Sequence, residues 1–252
     1  SGIHFSESNR PILESRLKER LKIANHDNIS DYYKLITRDE EEMKILLDSV
    51  TTNLTRFFRN TAHMQAFEYY IIPEIVEYKK KIRDNTIKIW SAGCSTGEEP
   101  YTLAMILSEI LPSGFNFSIV ASDLSLKSLM TAKTGFYPDS RITGVPDKYL
   151  ARYFEKTSGG YQIIDNIKNN IKFDYHNLKF DSGLKNLDII FCRNVLIYFD
   201  DVAQESVVNR FWSSLGGHAY LVIGHSESLF GMKTNFKFHK TDWATFYIKM
   251  TD

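Results

Sequence analysis

The chain has 252 residues, enough for one large domain or one domain with a small companion. Lys+Arg and Asp+Glu both total 31, so overall charge gives no support for a nucleic-acid-binding or membrane-surface protein, and no apolar run approaches the roughly 18 residues of a membrane span. The two cysteines, Cys94 and Cys192, make no zinc pattern; reduced thiols in a cytoplasmic chain are expected, with no metal, no signal peptide and a start on Ser1-Gly2 that reads as a tag scar or a truncated beginning.

Residues 10–50 carry helical spacing. Leu13, Leu17 and Leu21 recur every four residues, with Arg16, Lys18, Arg20 and Lys22 on the other faces. That basic side is either a solvated face or a docking face for an acidic partner. Ser30-Asp31 is the expected cap of a second helix through YYKLI, and the segment Thr37 to Glu40 starts a third that carries Met43, Leu46 and Leu47. Next comes TTNLTRFF, residues 51–58, followed by Arg59. Asn53 and Thr55 offer donors and acceptors, and Arg59 a planar fork suited to a carboxylate. The same segment also suits a capped helix start with Phe57 and Phe58 in the core. Residues 61–83 read as a further helix, broken or begun near Pro73 and ending in Lys79, Lys80, Lys81 and Arg83, cations that suit a helix C-terminus.

From Thr86 onward strands alternate with helices. IKIW, FSIVAS, Ile171 to Tyr175, Leu187 to Cys192 and HAYLVIG read as strands; Glu98 to Leu111, Leu126 to Lys133 and Val202 to Leu215 read as helices. This rhythm predicts a parallel sheet with helices on both faces. FKFHK and TFYIKM are separated only by a turn around Asp242-Trp243, too short for a helical crossover, so they should pair antiparallel. A mostly parallel Rossmann-like α/β sheet closed by an antiparallel terminal hairpin is the shape of a class I methyltransferase. Between Gly135 and Ile171 the rhythm breaks. A short helix from Tyr149 to Phe154 and a hairpin signal at Gly159-Gly160 predict a small inserted antiparallel β-subdomain at about 150–172. The expected division is a small N-terminal helical domain over 1–48 and a methyltransferase domain over 49–252.

The loop SAGCSTGEEP, residues 91–100, has no Lys after its second glycine and lacks GxGxxG spacing, which excludes the common phosphate and dinucleotide loops. Glu98 and Glu99 open the next helix; they would repel a pyrophosphate and suit a cationic ligand with an amino group and a sulfonium. Gly93 lets a ligand approach bare backbone, and Asp123 at the next strand end can hold the two ribose hydroxyls, so S-adenosylmethionine is the nucleoside that fits. Asp123 reads equally as a helix cap. Arg193, Asn194 and Tyr198 of FCRNVLIYFDD fall beyond a strand end, where open α/β sheets bind ligands. His176-Asn177 ends the preceding strand and offers polar groups to an adenine edge. GHSES, residues 224–228, ends the fifth strand, with His225 either a base or a structural histidine.

TTNLTRFFR, SAGCSTGEEPYTLAM, ASDLS, FCRNVLIYFD and GHSES, in this order, resemble the chemotaxis receptor methyltransferases of bacteria, the CheR-type protein-glutamate O-methyltransferases. The resemblance covers essentially the whole chain, with an N-terminal domain that looks short. It implies transfer of a methyl group from S-adenosylmethionine, leaving S-adenosylhomocysteine, to glutamates on chemoreceptor cytoplasmic helices for chemotactic adaptation. It implies that Asn53, Thr55 and Arg59 lie against the methionine end, that Glu99 more than Glu98 takes a polar group, and that Asp123 takes the ribose. Asn177 and Leu178 would border the adenine, Arg193 and Asn194 would complete the pocket with Gly93, and Arg59 and Tyr198 would lie nearest the transferred methyl. Some members of the family are tethered by a receptor tail peptide and some are not; the Gly159-Gly160 hairpin is where such a peptide could extend the sheet. The competing reading is a cofactor-sensing module acting through a protein partner; intact Arg59 and Tyr198 favour the enzyme. The absence of an Asn/Asp-Pro-Pro-aromatic motif disfavours nucleic-acid amino methylation.

Overall fold

Three short helices open the chain: α1 (Arg10–Ile23), α2 (Ile29–Ile36) and α3 (Glu40–Val50). The computed structural model describes residues 2–5, 7, 10–51 and 54–251. The leucine stripe of α1 is half-buried, packed on α3. Arg20, expected on the basic side of α1, is turned inward: its guanidinium forks onto Glu42 at 2.6 and 2.8 Å, and the buried Tyr32 hydroxyl donates to the same carboxylate at 2.7 Å. Of the other three cations, Lys18 and Lys22 share an exposed face one turn apart, while Arg16 lies on the opposite flank of the helix, paired with Glu19 at 3.3 Å. The cap of α2 is Asn28, whose side chain accepts from Asp31 N at 2.9 Å, rather than Ser30-Asp31; Asp39 caps α3. Asn28 wins because it sits in extended backbone, whereas Ser30 and Asp31 already lie inside the helix.

The helix predicted over 61–83 is continuous. α4 (Thr61–Ala66) passes through a π-helical turn, Phe67–Ile71, into α5 (Ile72–Ile82), with Pro73 at the first turn of α5. A proline there has no N–H to donate and needs relief from the preceding turn, which the wider π turn supplies. The alternating region then runs β1 (Thr86–Ala92), α6 (Glu98–Ile110), β2 (Asn116–Asp123), α7 (Leu126–Thr134), β3 (Phe136–Pro138), α8 (Asp139–Ile142) and α9 (Asp147–Tyr153). It continues through β4 (Phe154–Thr157), β5 (Gly160–Ile163), α10 (Asp165–Lys168), β6 (Ile171–Tyr175), β7 (Leu187–Cys192), α11 (Asp201–Ser214), β8 (Leu215–Ile223), β9 (Lys237–Lys240) and β10 (Thr245–Met250).

Among the described residues seven strands form the main sheet, in the order β6-β2-β1-β7-β8-β10-β9. The first five are mutually parallel; β10 runs antiparallel to β8, and β9 antiparallel to β10. This is the mostly parallel sheet with an antiparallel terminal hairpin that the strand rhythm predicts. The central strand β1 alternates between two cores: Ile87 and Ile89 pack with Ile75, Leu103 and Met105, while Trp90 and Ala92 pack with Ile190, Phe211 and Leu221 on the α11 side. Burial on both faces explains why β7, LDIIFC, is a nearly continuous apolar run. A second sheet, antiparallel in the order β3-β5-β4, takes in Phe136–Pro138 as well as the hairpin. Gly160 is required there, since a Cβ would stand 2.3 Å from the Tyr137 carbonyl oxygen.

The two ends of the main sheet differ. At the strands' N-terminal ends, Lys79 Nζ, at the end of α5, reaches Asp84 at 2.6 Å and Asp188 at 2.9 Å. The two acids also accept from Thr86 N at 3.0 Å and Lys88 N at 2.8 Å. Lys79 and Asp188 are buried, and every charge in the cluster has a partner. Burial pushes the Asp188 carboxyl up, and the ammonium and the backbone N–H oppose that rise.

Candidate functional site

At the opposite, C-terminal ends of the strands lies a cleft with ≈ 1080 Å³ of space between its walls, open mouth included. The loop after β1 forms its floor. Gly93 holds φ +84°, its N–H donates to Ser122 O at 2.8 Å, and a Cβ would stand 2.4 Å from Val195 Cγ2. Only glycine fits where the loop after β7 presses down on it. At the end of β2, Asp123 Oδ2 accepts from Ser95 N at 2.7 Å and Oδ1 from Ser125 N at 2.9 Å. Burial pushes this carboxyl up against the pull of those N–H groups. The helix-cap reading of Asp123 is met by a neighbour: Ser125 caps α7, accepting from Ser128 N at 3.1 Å.

The adjacent acids at the start of α6 part company. Glu99 lines the cleft; its carboxylate accepts from Ser91 Oγ at 2.7 Å and from Arg193 Nη1 at 3.2 Å. Glu98 is fully buried away from the cleft, paired with Arg141 and accepting from Thr96 Oγ1 at 2.7 Å. The preference for Glu99 over Glu98 has a geometric reason: consecutive helical residues point about 100° apart, and Glu98 has its own arginine.

Arg193, buried at the end of β7, clamps the site's two halves. One nitrogen reaches Glu99, and another donates to the Arg59 carbonyl at 2.5 Å. The segment 54–60 thereby becomes the cleft's side wall, bringing Thr55 and Arg59 to the lining; the Arg59 guanidinium donates to Leu54 O at 2.8 Å. Phe57 is core, edge-on to Tyr137 at 4.9 Å, and Asn60 caps α4, so this segment is structural as well as lining. Asn53 lies outside the described residues. Asn177 and Leu178 border the cleft beyond β6, with Asn177 Oδ1 accepting from Lys179 N at 2.9 Å. Asn194 and Tyr198 line it from the loop after β7.

Of the residues singled out from sequence, Thr55, Arg59, Gly93, Glu99, Asp123, Asn177, Leu178, Arg193, Asn194 and Tyr198 share this one cleft. His225 is exposed and outside the lining, so it is neither a buried structural histidine nor a base facing the cleft. Sequence reasoning missed Ile3, which lines the cleft where His4 N donates to Tyr198 O at 2.7 Å, and nothing in the sequence of that segment marks it. It also missed Glu227, whose carboxylate joins two loops behind the cleft.

The donor set fits S-adenosylmethionine. Leu124, Leu178, Val195 and Phe199 make an apolar wall for a flat base; Asp123 and Glu99 supply acceptors for hydroxyl or ammonium groups; Arg59 and Thr55 supply donors for a carboxylate. Three lining residues keep a buried polar atom without a partner among the described residues: Ser95 Oγ, His176 Nε2 and Arg193 Nε. Unpaired buried polar atoms are costly, and their concentration here marks a surface shaped for a polar ligand.

The family described as CheR methyltransferase, SAM binding domain, matches residues 53–245, and the CheR methyltransferase all-alpha domain matches residues 1–51. The chain is 36% identical over 241 residues to a chemotaxis protein methyltransferase of Borreliella burgdorferi, covering 92% of this chain and 85% of that protein. It is 31% identical over 257 residues to chemotaxis protein methyltransferase 2 of Vibrio cholerae, covering 99% and 88%. A chemotaxis protein methyltransferase of Vibrio parahaemolyticus is 34% identical over 248 residues, covering 94% and 87%.

Proposed function

The chain belongs to the CheR methyltransferase family and is an S-adenosylmethionine-dependent methyltransferase of chemotaxis, and from that premise we propose that it esterifies glutamate side chains on the cytoplasmic helices of a chemoreceptor. The observation that carries this reading is the meeting of Arg59, Glu99, Asp123, Arg193 and Tyr198 in one cleft at the strands' C-terminal ends.

S-adenosylmethionine, when bound, supplies a methyl group on a sulfonium. Asp123 holds ribose hydroxyls, Glu99 a polar group of the methionine moiety, and Asn177 and Leu178 the adenine. Thr55, Asn194 and Gly93 complete the contacts. A glutamate acceptor has an unperturbed pKa of about 4.3, so at neutral pH it is already a nucleophile and needs no base. The protein's task is alignment and removal of water, and positioning of this kind contributes on the order of 7–11 kcal/mol in well-oriented reactions. Arg59 orients one carboxylate oxygen and leaves the other free to attack; a two-oxygen clamp would quiet the nucleophile. Tyr198 steadies the reacting groups with its ring and hydroxyl.

The exposed pair Lys18 and Lys22, one turn apart on α1, suits an acidic helical substrate. The open edge of the small sheet at β4 suits an added strand from a receptor tail. The setting is the cytoplasm, where the receptor helices lie; no described helix is long and apolar enough to cross a membrane. Incubation with methyl-labelled S-adenosylmethionine and a chemoreceptor cytoplasmic fragment tests the proposal. Base-labile label on the fragment is expected, Arg59→Ala should lose it, and Tyr198→Phe should lower it while S-adenosylhomocysteine affinity holds. Base-stable label, or full turnover by Arg59→Ala, would overturn the assignment.

A further inference from the structure

We propose that Glu227 is a positioning residue for methyl transfer: its carboxylate braces the loop after β7 against the loop after β8 and so fixes Asn194 and Tyr198 at the cleft. This rests on the methyl-transfer reading above and adds a residue outside the cleft lining.

Three backbone N–H groups from two loops converge on this one carboxylate. Glu227 Oε2 accepts from Gly224 N at 2.6 Å and from Asn194 N at 2.9 Å; Oε1 accepts from Ile197 N at 3.3 Å. Glu227 N donates back to Gly224 O at 3.0 Å, which closes the turn that carries the carboxylate. The braced loop needs holding. Asn194 sits at φ +60°, a left-handed conformation a side chain rarely adopts, and this bend turns the chain out of β7 toward the cleft. The two carboxylate oxygens grip both ends of the bend, at Asn194 and at Ile197, one residue before Tyr198.

Beyond that point the loop is tied internally, Tyr198 N to Val195 O at 3.1 Å and Phe199 N to Leu196 O at 3.0 Å, so Tyr198 moves with the braced segment. On its other flank the loop is anchored by Arg193 on Glu99 and the Arg59 carbonyl. Glu227 is thus a second side-chain anchor of the loop, beside the backbone bond from His4 N to Tyr198 O at 2.7 Å. Gly224 makes room for it: a Cβ there would stand 2.6 Å from Glu227 Oε2 and 2.8 Å from Asn194 N. A carboxylate is the group the geometry demands, because it accepts at both oxygens, whereas an amide would turn an NH2 toward one set of donors.

The test uses the full chain and four forms: unsubstituted, Glu227→Gln, Gly224→Ala and the control Glu205→Gln. Glu205 also accepts from a backbone N–H, that of Lys233 at 2.9 Å, but does not touch the braced loop. Glu227→Gln is expected to lower kcat on a chemoreceptor fragment by about 10²-fold, the scale of a misplacement near 1 Å. S-adenosylhomocysteine affinity should fall far less than kcat, by no more than about 10-fold, the worth of one contact through Asn194, because Glu99 and Asp123 keep partners outside the braced loop in Ser91 Oγ, Ser95 N and Ser125 N. Hydrogen exchange should speed up at the amides of Asn194, Ile197 and Gly224. Gly224→Ala, with the carboxylate intact, should reproduce both effects, and the double variant should be no worse than either single. Glu205→Gln should leave kcat and those amides unchanged.

The proposal is overturned if Glu227→Gln keeps its kcat, if kcat falls only in step with the folded fraction, if the two substitutions simply add, or if Glu205→Gln does the same. An unsubstituted chain that binds S-adenosylhomocysteine but methylates nothing would sink the receptor assignment instead. The brace would then stand or fall on the exchange of the three amides.

Discussion

The two ends of the main sheet are built from the same materials and end in opposite states. At the N-terminal ends, Lys79, Asp84 and Asp188 satisfy one another and two backbone N–H groups. At the C-terminal ends, Glu99, Asp123 and Arg193 are held just as firmly, yet polar capacity is left over. Of the six buried side-chain polar atoms without a partner among the described residues, Ser95 Oγ, His176 Nε2 and Arg193 Nε line the cleft. Asp48 Oδ1 and His63 Nδ1 belong to residues whose fields reach Asp123 and Arg193; only His218 lies elsewhere, stacked on Tyr78. A closed set of buried charges leaves nothing for a ligand to satisfy and is costly to break; an incomplete one offers a binding surface.

The strongest way to break this contrast is Lys79→Met. It strands two carboxylates and is expected to cost about 3–5 kcal/mol in urea unfolding. The folded fraction should bind S-adenosylhomocysteine as before; altered affinity would show that the two ends are coupled. Next comes His63, buried beside Arg193, whose burial pulls its pKa down to about 4 from an ordinary 6.5. Below pH 6.5 the unfolded chain takes up a proton that the folded chain refuses until about pH 4, so stability falls as pH drops through that window, by up to about 3 kcal/mol. His63→Leu should flatten the fall, as read from urea midpoints across the window; an unchanged slope would exonerate His63.

The smallest effect on the fold is expected from Asp123→Asn. Burial raises this carboxyl's pKa, so near neutral pH removing the charge offsets part of its cost, while the amide turns an NH2 toward one of its two N–H donors; the net loss in unfolding should be about 1–2 kcal/mol. Ligand affinity should fall by about 10–100-fold, the worth of a charged hydrogen bond, as measured by calorimetry with S-adenosylhomocysteine. A large loss of stability with retained affinity would move Asp123 from the binding end to the structural one.

The sheet and the cleft floor were legible because their signals are local. Two-faced apolar strands, the Gly93 loop and carboxylates at strand ends occupy consecutive residues. What escaped depends on partners far along the chain. Glu98 and Glu99 look alike in sequence, and only Arg141 and Arg193, 43 and 94 residues away, sort them. Arg20 looked solvated until Glu42 and Tyr32 folded onto it. In GHSES the eye falls on the histidine, yet the glutamate two residues on makes the contacts. Asn28 outranked Ser30 because capping depends on backbone conformation, which composition does not report.

The pairing of Glu98 with Arg141 reaches past the cleft. Arg141 belongs to α8, directly after the first strand of the small sheet, and Tyr137 on that strand donates to Thr96 O at 2.6 Å. The inserted subdomain is therefore riveted to the glycine loop rather than hung beside it. A trimmed enzyme lacking that insertion would leave a carboxylate in a dry interior with no cation, and shortening the chain there would forfeit the scaffold along with the ornament.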